Sequence, residues 1–307
     1  MEKNNYAIII VTYNRIELLK ECINNAVNQT IPAESIIIIN NASTDGTKEY
    51  LDKLKDNTIL DIHNLDENIG GAGGFCIGIE AALKKDVESI LIIDDDAMIS
   101  RNYMELLLKA KTQNPTYKAF AGAVVVDGVI DTFHRKNLSK VGFFQRTINA
   151  ETYKSDNFEC EIASFCGMLV DTSIVKKIGL PHSHYFIWYD DTEYSLRIRK
   201  HTKFLVVTDA ILNHKTKLNT THKPRRYDWR EYYAVRNRIL MIKEHGTLLD
   251  RLVNNIDLFV RVVFRNWLFG LIKKSGYDWK YEKDIVNQAI KNAKRNNTIN
   301  IIMQRKE

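Results

Sequence analysis

Asn68-Ile69-Gly70-Gly71-Ala72-Gly73-Gly74-Phe75, then a helix-like run, then Ser89-Ile90-Leu91-Ile92-Ile93-Asp94-Asp95-Asp96 form the stretch from which the fold is read. The four glycines free the backbone for φ > 0 and for close approach to another molecule, which a Cβ would prevent. Asp94, Asp95 and Asp96 end an apolar run with the length and β-branched content of a buried strand. Three adjacent carboxylates repel one another, so at the mouth of a strand they are tolerable mainly beside a cation. Together the two features predict a metal-bound diphosphate next to a glycine-lined sugar pocket.

Working outward, residues 6–11 are a continuous apolar run that passes through Thr12-Tyr13-Asn14-Arg15 into a helix pattern with Leu18, Leu19, Ile23 and Val27 on one face. Residues 36–39 repeat the strand signal and enter Asn40-Asn41-Ala42-Ser43-Thr44-Asp45-Gly46, where Thr44 or Asp45 can cap the next helix. A third strand is expected at 58–62, the glycines at 70–74 form a loop that opens a third helix, and 90–93 is a fourth strand. This alternation predicts a parallel, doubly wound α/β sheet with its ligands beyond the carboxyl ends of the strands. All four loops fall at that edge. Past Asp96 the alternation loosens, with helices at 102–111, 174–178 and 192–201, strands at 120–126, 163–170 and 204–207, and a polar loop-and-hairpin region at 127–156. From residue 227 the pattern is wholly helical, near 228–245, 250–273 and 279–294, which sets an α/β domain at 1–224 and a helical region at 225–307.

The 307 residues suffice for one large core or a core with an accessory lobe. The net charge of +6 is modest, but Lys and Arg crowd the last third, which suggests an anionic surface or substrate there. Cys22, Cys76, Cys160 and Cys166 form neither zinc-type pairs nor a disulfide framework, so they are expected to be structural thiols in the reducing cytoplasm. The N-terminus lacks the pattern of a secretion signal, and no run reaches the about 18 apolar residues needed to span a bilayer. No nucleic-acid-binding motif accompanies the basic charge. A dinucleotide-binding fingerprint is disfavoured because Cys76 stands where its third glycine is wanted.

Asp94-x-Asp96 puts two carboxylates on one side of an extended strand, and a third donor would complete a site for a hard divalent ion. A solvated acidic turn is the competing reading. His214, in Leu-Asn-His-Lys, is a candidate third donor because of those carboxylates. Trp188-Tyr189-Asp190-Asp191-Thr192-Glu193 sets aromatics against carboxylates at a helix start, where apolar neighbours raise a carboxylate pKa and the helix N-terminus lowers it. Asp191 is the candidate base, while an ordinary place in an acidic first turn competes for Glu193. Arg225, Arg226, Arg230, Arg236 and Arg238 interleave with Tyr227, Trp229, Tyr232 and Tyr233, either as a phosphate-holding face or as solvated helix with aromatic packing. Residues 258–274 combine Phe, Leu and Trp267 with bordering Arg and Lys. They read as a helix lying on an anionic membrane, or as one packed on the catalytic lobe or on a second subunit.

In this order, the Thr12–Arg15 loop, Asn41-Ala42-Ser43-Thr44-Asp45-Gly46, the Asp-rich strand end and Asp190-Asp191-x-Glu193 resemble an inverting family 2 glycosyltransferase of the GT-A fold. The glycine run with its triple Asp is most similar to that of the galactofuranosyltransferases. The resemblance covers about residues 6–240 and implies a doubly wound mixed sheet with a helical C-terminal region. It also implies that Asp94 and Asp96 hold Mn²⁺ or Mg²⁺ with His214, that Asp95 faces the sugar, and that Asp191 is the general base. Thr12, Asn14, Arg15, Asn40 and Asn41 would embrace the nucleotide, Asn68, Gly70, Gly71, Gly73 and Gly74 would line the donor sugar, and Trp188, Tyr189, Asp190 and Glu193 would form the acceptor side. The implied reaction moves galactofuranose from a UDP-sugar, or alternatively rhamnose from dTDP-rhamnose, onto a glycan or lipid-linked glycan of the cell surface. The enzyme would act in the cytoplasm or at the inner face of the plasma membrane.

Two departures stand out. Asn40 occupies a position that is usually acidic in the family, and Tyr189 rather than Trp188 directly precedes the acidic pair. A haloacid-type phosphatase is disfavoured by Met98, which stands where Thr or Val normally follows the Asp pair. A non-catalytic nucleotide-sugar binding module is the rival from another class.

Overall fold

The computed structural model describes residues 5–216, 229–264 and 279–296. The first half runs β1 (Tyr6–Thr12), α1 (Ile16–Val27), β2 (Ser35–Asn40), α2 (Thr47–Asp52), β3 (Leu60–Asn64), α3 (Gly70–Leu83), β4 (Ser89–Asp94), β5 (Ala97–Ile99) and α4 (Tyr103–Gln113). It continues with β6 (Ala119–Val126), β7 (Val129–Ile130), β8 (Arg135–Leu138), β9 (Gln145–Thr147), β10 (Asn157–Cys160), β11 (Ile162–Ala163), β12 (Met168–Asp171), α5 (Thr172–Ile178), α6 (Asp190–Ile198) and β13 (Phe204–His214). The C-terminal helices are α7 (Arg230–His245), α8 (Leu248–Leu258) with a π-helical extension (Phe259–Phe264), and α9 (Trp279–Lys294).

The main sheet has the order β10-β13-β6-β12-β4-β1-β2-β3. Strands β3, β2, β1 and β4 are parallel, β12 runs antiparallel to both β4 and β6, and β13 is parallel to β6, so the sheet is mixed. Both faces are covered. Tyr6, Ile8 and Ile10 share a core with Leu19 and Cys22 of α1 and Met104 and Leu107 of α4. The alternate residues Ala7, Ile9 and Val11 share another with Phe75 and Ile79 of α3 and Tyr194 and Ile198 of α6. Burial on both faces is why these strands read as unbroken apolar runs. Register aligns Thr12 with Asn40, Asn40 with Asn64 and Val11 with Asp94, so these strands end together at one edge.

Several expected boundaries shift. Residues 70–74 are not a loop: α3 begins at Gly70, which has φ +79°, and the remaining glycines lie inside the helix. A Cβ on Gly74 would stand 2.6 Å from Val11 Cγ1, and one on Gly78 2.4 Å from Ile9 Cγ2, so here glycine lets a helix lie close against β1. The third strand lies at 60–64 rather than 58–62. The strand expected at 163–170 is broken between β11 and β12, where the chain leaves a small sheet of order β11-β8-β9 and enters the main one. Buried Arg135 joins the two sheets, donating to the carbonyls of Gly122 and Cys166 at 3.0 and 2.9 Å.

The last strand extends to His214 instead of stopping at 207, because its polar second half pairs with β5, His214 opposite Ala97. Helices α7, α8 and α9 share an apolar cluster with Phe186 and Ile187. The boundary expected at residue 224, Arg225, Arg226, Tyr227 and Trp267 lie outside the described residues.

Candidate active site

Two cavities, of about 440 and 680 Å³, open at the carboxyl edge of the sheet, and both are lined by Gly71, Asp94 and Ile187. The smaller is walled by Thr12, Tyr13 and Arg15 after β1, Asn41 after β2, Asn68 and Gly70 at the start of α3, Asp95, and Trp229 and Arg230 of the helical region. The larger is walled by Trp188, Tyr189, Asp190 and Asp191, and by His134, Lys136 and Gln145 from the β8–β9 side.

At the junction, Thr12 Oγ1 donates to Asp95 Oδ2 at 2.7 Å, and Arg15 Nη1 donates to Asp95 Oδ1 at 3.2 Å and Asp96 Oδ2 at 2.7 Å. His214 Nε2 lies 3.2 Å from Asp96 Oδ1, placed there by the β5–β13 pairing. Burial, then the charges of Asp96 and Asp95, push Asp94 up to about 7. Burial likewise lifts Asp95 to about 6 against the pull of Thr12 and Arg15. Burial alone would raise Asp96 as well, but His214 and Arg15 outweigh it and hold that carboxyl below its usual range.

The donor chemistry of Asp94, Asp96 and His214 suits a hard divalent ion. His214 Nδ1 is buried without a hydrogen-bond partner. The Asp94 carboxylate accepts no hydrogen bond among the described residues and is costly to ionise without a nearby cation. His134, Cys166 and His214 also bring donor atoms within 4.8 Å of one another. Burial pushes the Cys166 thiol far up, however, so a hard ion finds better ligands in Asp94, Asp96 and His214.

Asn41 organises the smaller cavity, donating to Asn68 Oδ1 and the Gly70 carbonyl at 3.0 Å each. Asn14 and Asn40, expected at the nucleotide, line neither of these two cavities. Asn14 Oδ1 accepts from Thr44 N at 2.7 Å, and Asn40 is engaged with Asn64 at 2.7 Å and with the Ser43 amide, so both shape the β2–α2 loop. Gly73 and Gly74 also leave the donor wall, since their missing Cβ atoms make room for Ile69 and Val11. Glu193 is not on the acceptor side. It is fully buried and accepts from Arg197 Nη2 and His245 Nε2, each at 2.8 Å. Burial alone would raise its pKa, but His245 and Arg197 outweigh it and lower it. It is a latch between α6 and α7.

Asp190 and Asp191 open α6 and both line the larger cavity. Burial and the neighbouring Asp191 push Asp190 well above the carboxylate range. The approach to α6 is strained, with Phe186, Trp188 and Tyr189 at φ +63°, +64° and +66°, each costing on the order of 1–3 kcal/mol. Residues of α7 hold it. Asn237 Nδ2 reaches the carbonyls of Tyr185, Ile187 and Trp188 at 2.8–3.0 Å, and buried Arg236 donates to the His184 carbonyl beneath the stacked rings of Phe186 and Tyr233. Arg236 therefore holds backbone rather than phosphate, and Arg238 is paired with Asp257 at 2.6 Å. Of the described arginines in that stretch, Arg230 lines a cavity. Lys136 and Gln145 had no signal in the sequence, because their polar hairpin reaches the site only through long-range strand pairing.

A doubly wound mixed sheet whose aligned strand ends carry an Asp cluster between two adjoining cavities defines the class of nucleotide-sugar glycosyltransferases with the GT-A fold. The chain belongs to Glycosyl transferase family 2, whose profile matches residues 7–179, and it is a transferase. A dTDP-rhamnosyl transferase, RfbF of Shigella flexneri, is 28% identical over 81% of this chain and 83% of its own length. A poly-β-1,6-N-acetyl-D-glucosamine synthase of Staphylococcus epidermidis is 26% identical over 55% of this chain, which spans half of that relative. Among solved structures, S. aureus TarS in complex with UDP-GlcNAc has a TM-score of 0.59 at 16% identity, covering 94% of this chain and 81% of that one. GalNAc-T7 with UDP, GalNAc and Mn²⁺ has a TM-score of 0.63 at 15% identity, covering 78% and 47%. These likenesses support the fold. Among the described residues no helix is long and apolar enough to cross a membrane.

Proposed function

We propose that this protein is a metal-dependent inverting glycosyltransferase whose donor nucleotide lies in the smaller cavity and whose acceptor enters the larger. The observation that carries this reading is Asp94, a carboxylate common to both cavities and standing beside Asp96 and His214. Asp94, Asp96 and His214 would hold Mn²⁺ or Mg²⁺, which when bound supplies charge to stabilise the departing diphosphate. Asp191 takes the proton from an acceptor hydroxyl. The hydroxyl oxygen then bonds to the anomeric carbon as the bond from that carbon to the diphosphate oxygen breaks, which inverts the configuration. Thr12 and Arg15 steady the Asp cluster, and Trp188 and Tyr189 offer rings to the acceptor.

For the donor we favour dTDP-rhamnose, because the relative matched over most of both chains is a dTDP-rhamnosyl transferase. UDP-galactofuranose is the second reading, supported by the similarity of the glycine run to that of the galactofuranosyltransferases. It is weakened because Gly73 and Gly74 pack against Ile69 and Val11 instead of lining the cleft. The acceptor is a hydroxyl of a glycan or lipid-linked glycan. We assign residues 1–224 to the transferase domain and residues 225–307 to a region that meets a membrane surface or a second copy. A side-by-side screen of dTDP-rhamnose, UDP-galactofuranose and UDP-GlcNAc for hydrolysis and transfer tests the assignment. Turnover of dTDP-rhamnose alone supports it, turnover of UDP-galactofuranose alone replaces the donor, and a protein that binds these donors but turns over none is a binding module.

A further inference from the structure

The small sheet β11-β8-β9 has no part in the reaction as described so far, yet it delivers two polar side chains into the larger cavity. Lys136, on β8, donates from Nζ to Gln145 Oε1 on β9 at 2.6 Å. Gln145 Nε2 donates to Thr192 Oγ1 of α6 at 3.1 Å, and that hydroxyl donates at 3.0 Å to Asp191 Oδ1, which also accepts from the Thr192 backbone amide at 2.5 Å. Every bond in the series runs the same way, from a cation through an amide and a hydroxyl to a carboxylate. Such a chain polarises each donor in the direction of the next. Thr192 is buried and the other three are half-buried, so solvent competes little for these partners.

We infer that Lys136, Gln145 and Thr192 are positioning residues that fix the Asp191 carboxylate, tying up Oδ1 so that Oδ2 is presented to the acceptor hydroxyl. This rests on the reading of Asp191 as the base. The geometry favours a catalytic purpose over a packing one because the chain spans three separate elements and ends on a carboxylate that lines the cavity. A lysine needed only for solubility or packing would gain nothing by pointing inward, and burial lowers the pKa of this one, although Asp191 and then Asp131 pull it back up.

The test compares Lys136→Met, Gln145→Ala, Thr192→Val and Thr192→Ser with Asp191→Asn, on the donor that the screen identifies. Misplacing a base by a fraction of an ångström costs about 10- to 100-fold in rate. The first three variants are expected to lose roughly that much kcat for transfer with the donor KM unchanged. Thr192→Ser, which keeps the hydroxyl, should restore most of it, and the Lys136→Met, Gln145→Ala double variant should be no worse than the more damaging single one. Additive losses, an unrescued Thr192→Ser, or wild-type kcat in Lys136→Met would overturn the relay. If Asp191→Asn itself transfers normally, the base assignment fails instead, and the two failures are told apart. Crystal structures of the wild type and Lys136→Met give a readout independent of turnover. The Gln145 side chain, released by Lys136, is expected to leave Thr192 Oγ1 in the variant, and a Gln145–Thr192 hydrogen bond left in place would also refute the relay.

Discussion

At the scale of single residues, the three aspartates place a net negative charge where the fold provides Arg15 and His214 as compensation. Calorimetry of dTDP and UDP is expected to show affinity falling roughly tenfold or more when Mn²⁺ is replaced by chelator. That dependence should vanish in Asp94→Ala with Asp96→Ala, whereas equal wild-type affinity in both conditions would remove the metal site. A pH effect follows from the same carboxylates. Asp94 and Asp95 titrate near 7 and 6 in the folded chain against a usual 3.8. The native state therefore keeps protons that the unfolded chain has released, and metal-free stability declines as pH rises from about 4 to 7. Melting curves across that window should slope downward in chelator, flatten with Mn²⁺ and become shallower in Asp94→Asn, where Asp95 still contributes. At this scale the sequence was most readable, since acidic residues crowded at a strand end have few structural uses. Lys136 was not readable, because a lysine in a polar hairpin looks like any other until strand pairing carries it to Asp191.

Among elements, α3 separates two uses of glycine that a sequence cannot distinguish. Gly74 and Gly78 press on the branched carbons of Val11 and Ile9, which cannot swing aside, whereas a Cβ on Gly71 would meet only Phe75 Cε2 at 3.9 Å. Gly74→Ala is expected to destabilise by about 1–3 kcal/mol through overpacking, less the roughly 1 kcal/mol gained in helix propensity, with donor affinity unchanged. Gly71→Ala should do the reverse, leaving the melting temperature level or higher while weakening donor binding, because Gly71 lines both cavities. Denaturant unfolding alongside calorimetry checks both, and a Gly74→Ala protein that is stable yet blind to nucleotide would return that glycine to the donor wall. The central strands were legible for a related reason. With both faces buried, β1, β2 and β4 carry apolar side chains at nearly every position, while β13 mixes polar and apolar residues after Val207 and is carried on by pairing with β6 beyond a register shift and with the distant β5.

On the scale of the whole molecule, the exposed apolar side chains of the described residues are concentrated in one place. Seven of the eleven large hydrophobic side chains exposed among the described residues (Leu248, Leu249, Leu252, Ile256, Phe259, Val260 and Phe264) lie on α8 and its π-helical extension. The α8 surface they occupy also exposes Arg251 and Asn255 but no acidic side chain, since Asp250 is buried in the helix cap and Asp257 is paired with Arg238. An isolated patch of this kind on a chain of net charge +6 suits an anionic lipid surface, where apolar side chains enter the headgroup boundary and basic ones stay with the phosphates. The sequence placed this character at residues 258–274, and the described face begins a full ten residues earlier, at Leu248. Cosedimentation with vesicles containing phosphatidylglycerol is expected to retain the wild type and release it as salt rises. The Leu252→Glu, Ile256→Glu, Phe259→Glu variant should stay in the supernatant while unfolding within about 0.5 kcal/mol of the wild type, because all three positions are exposed. If the variant instead binds vesicles as well as the wild type does, and sedimentation velocity shows the wild type as an oligomer that the variant breaks, the face belongs to a second copy of this chain and not to lipid.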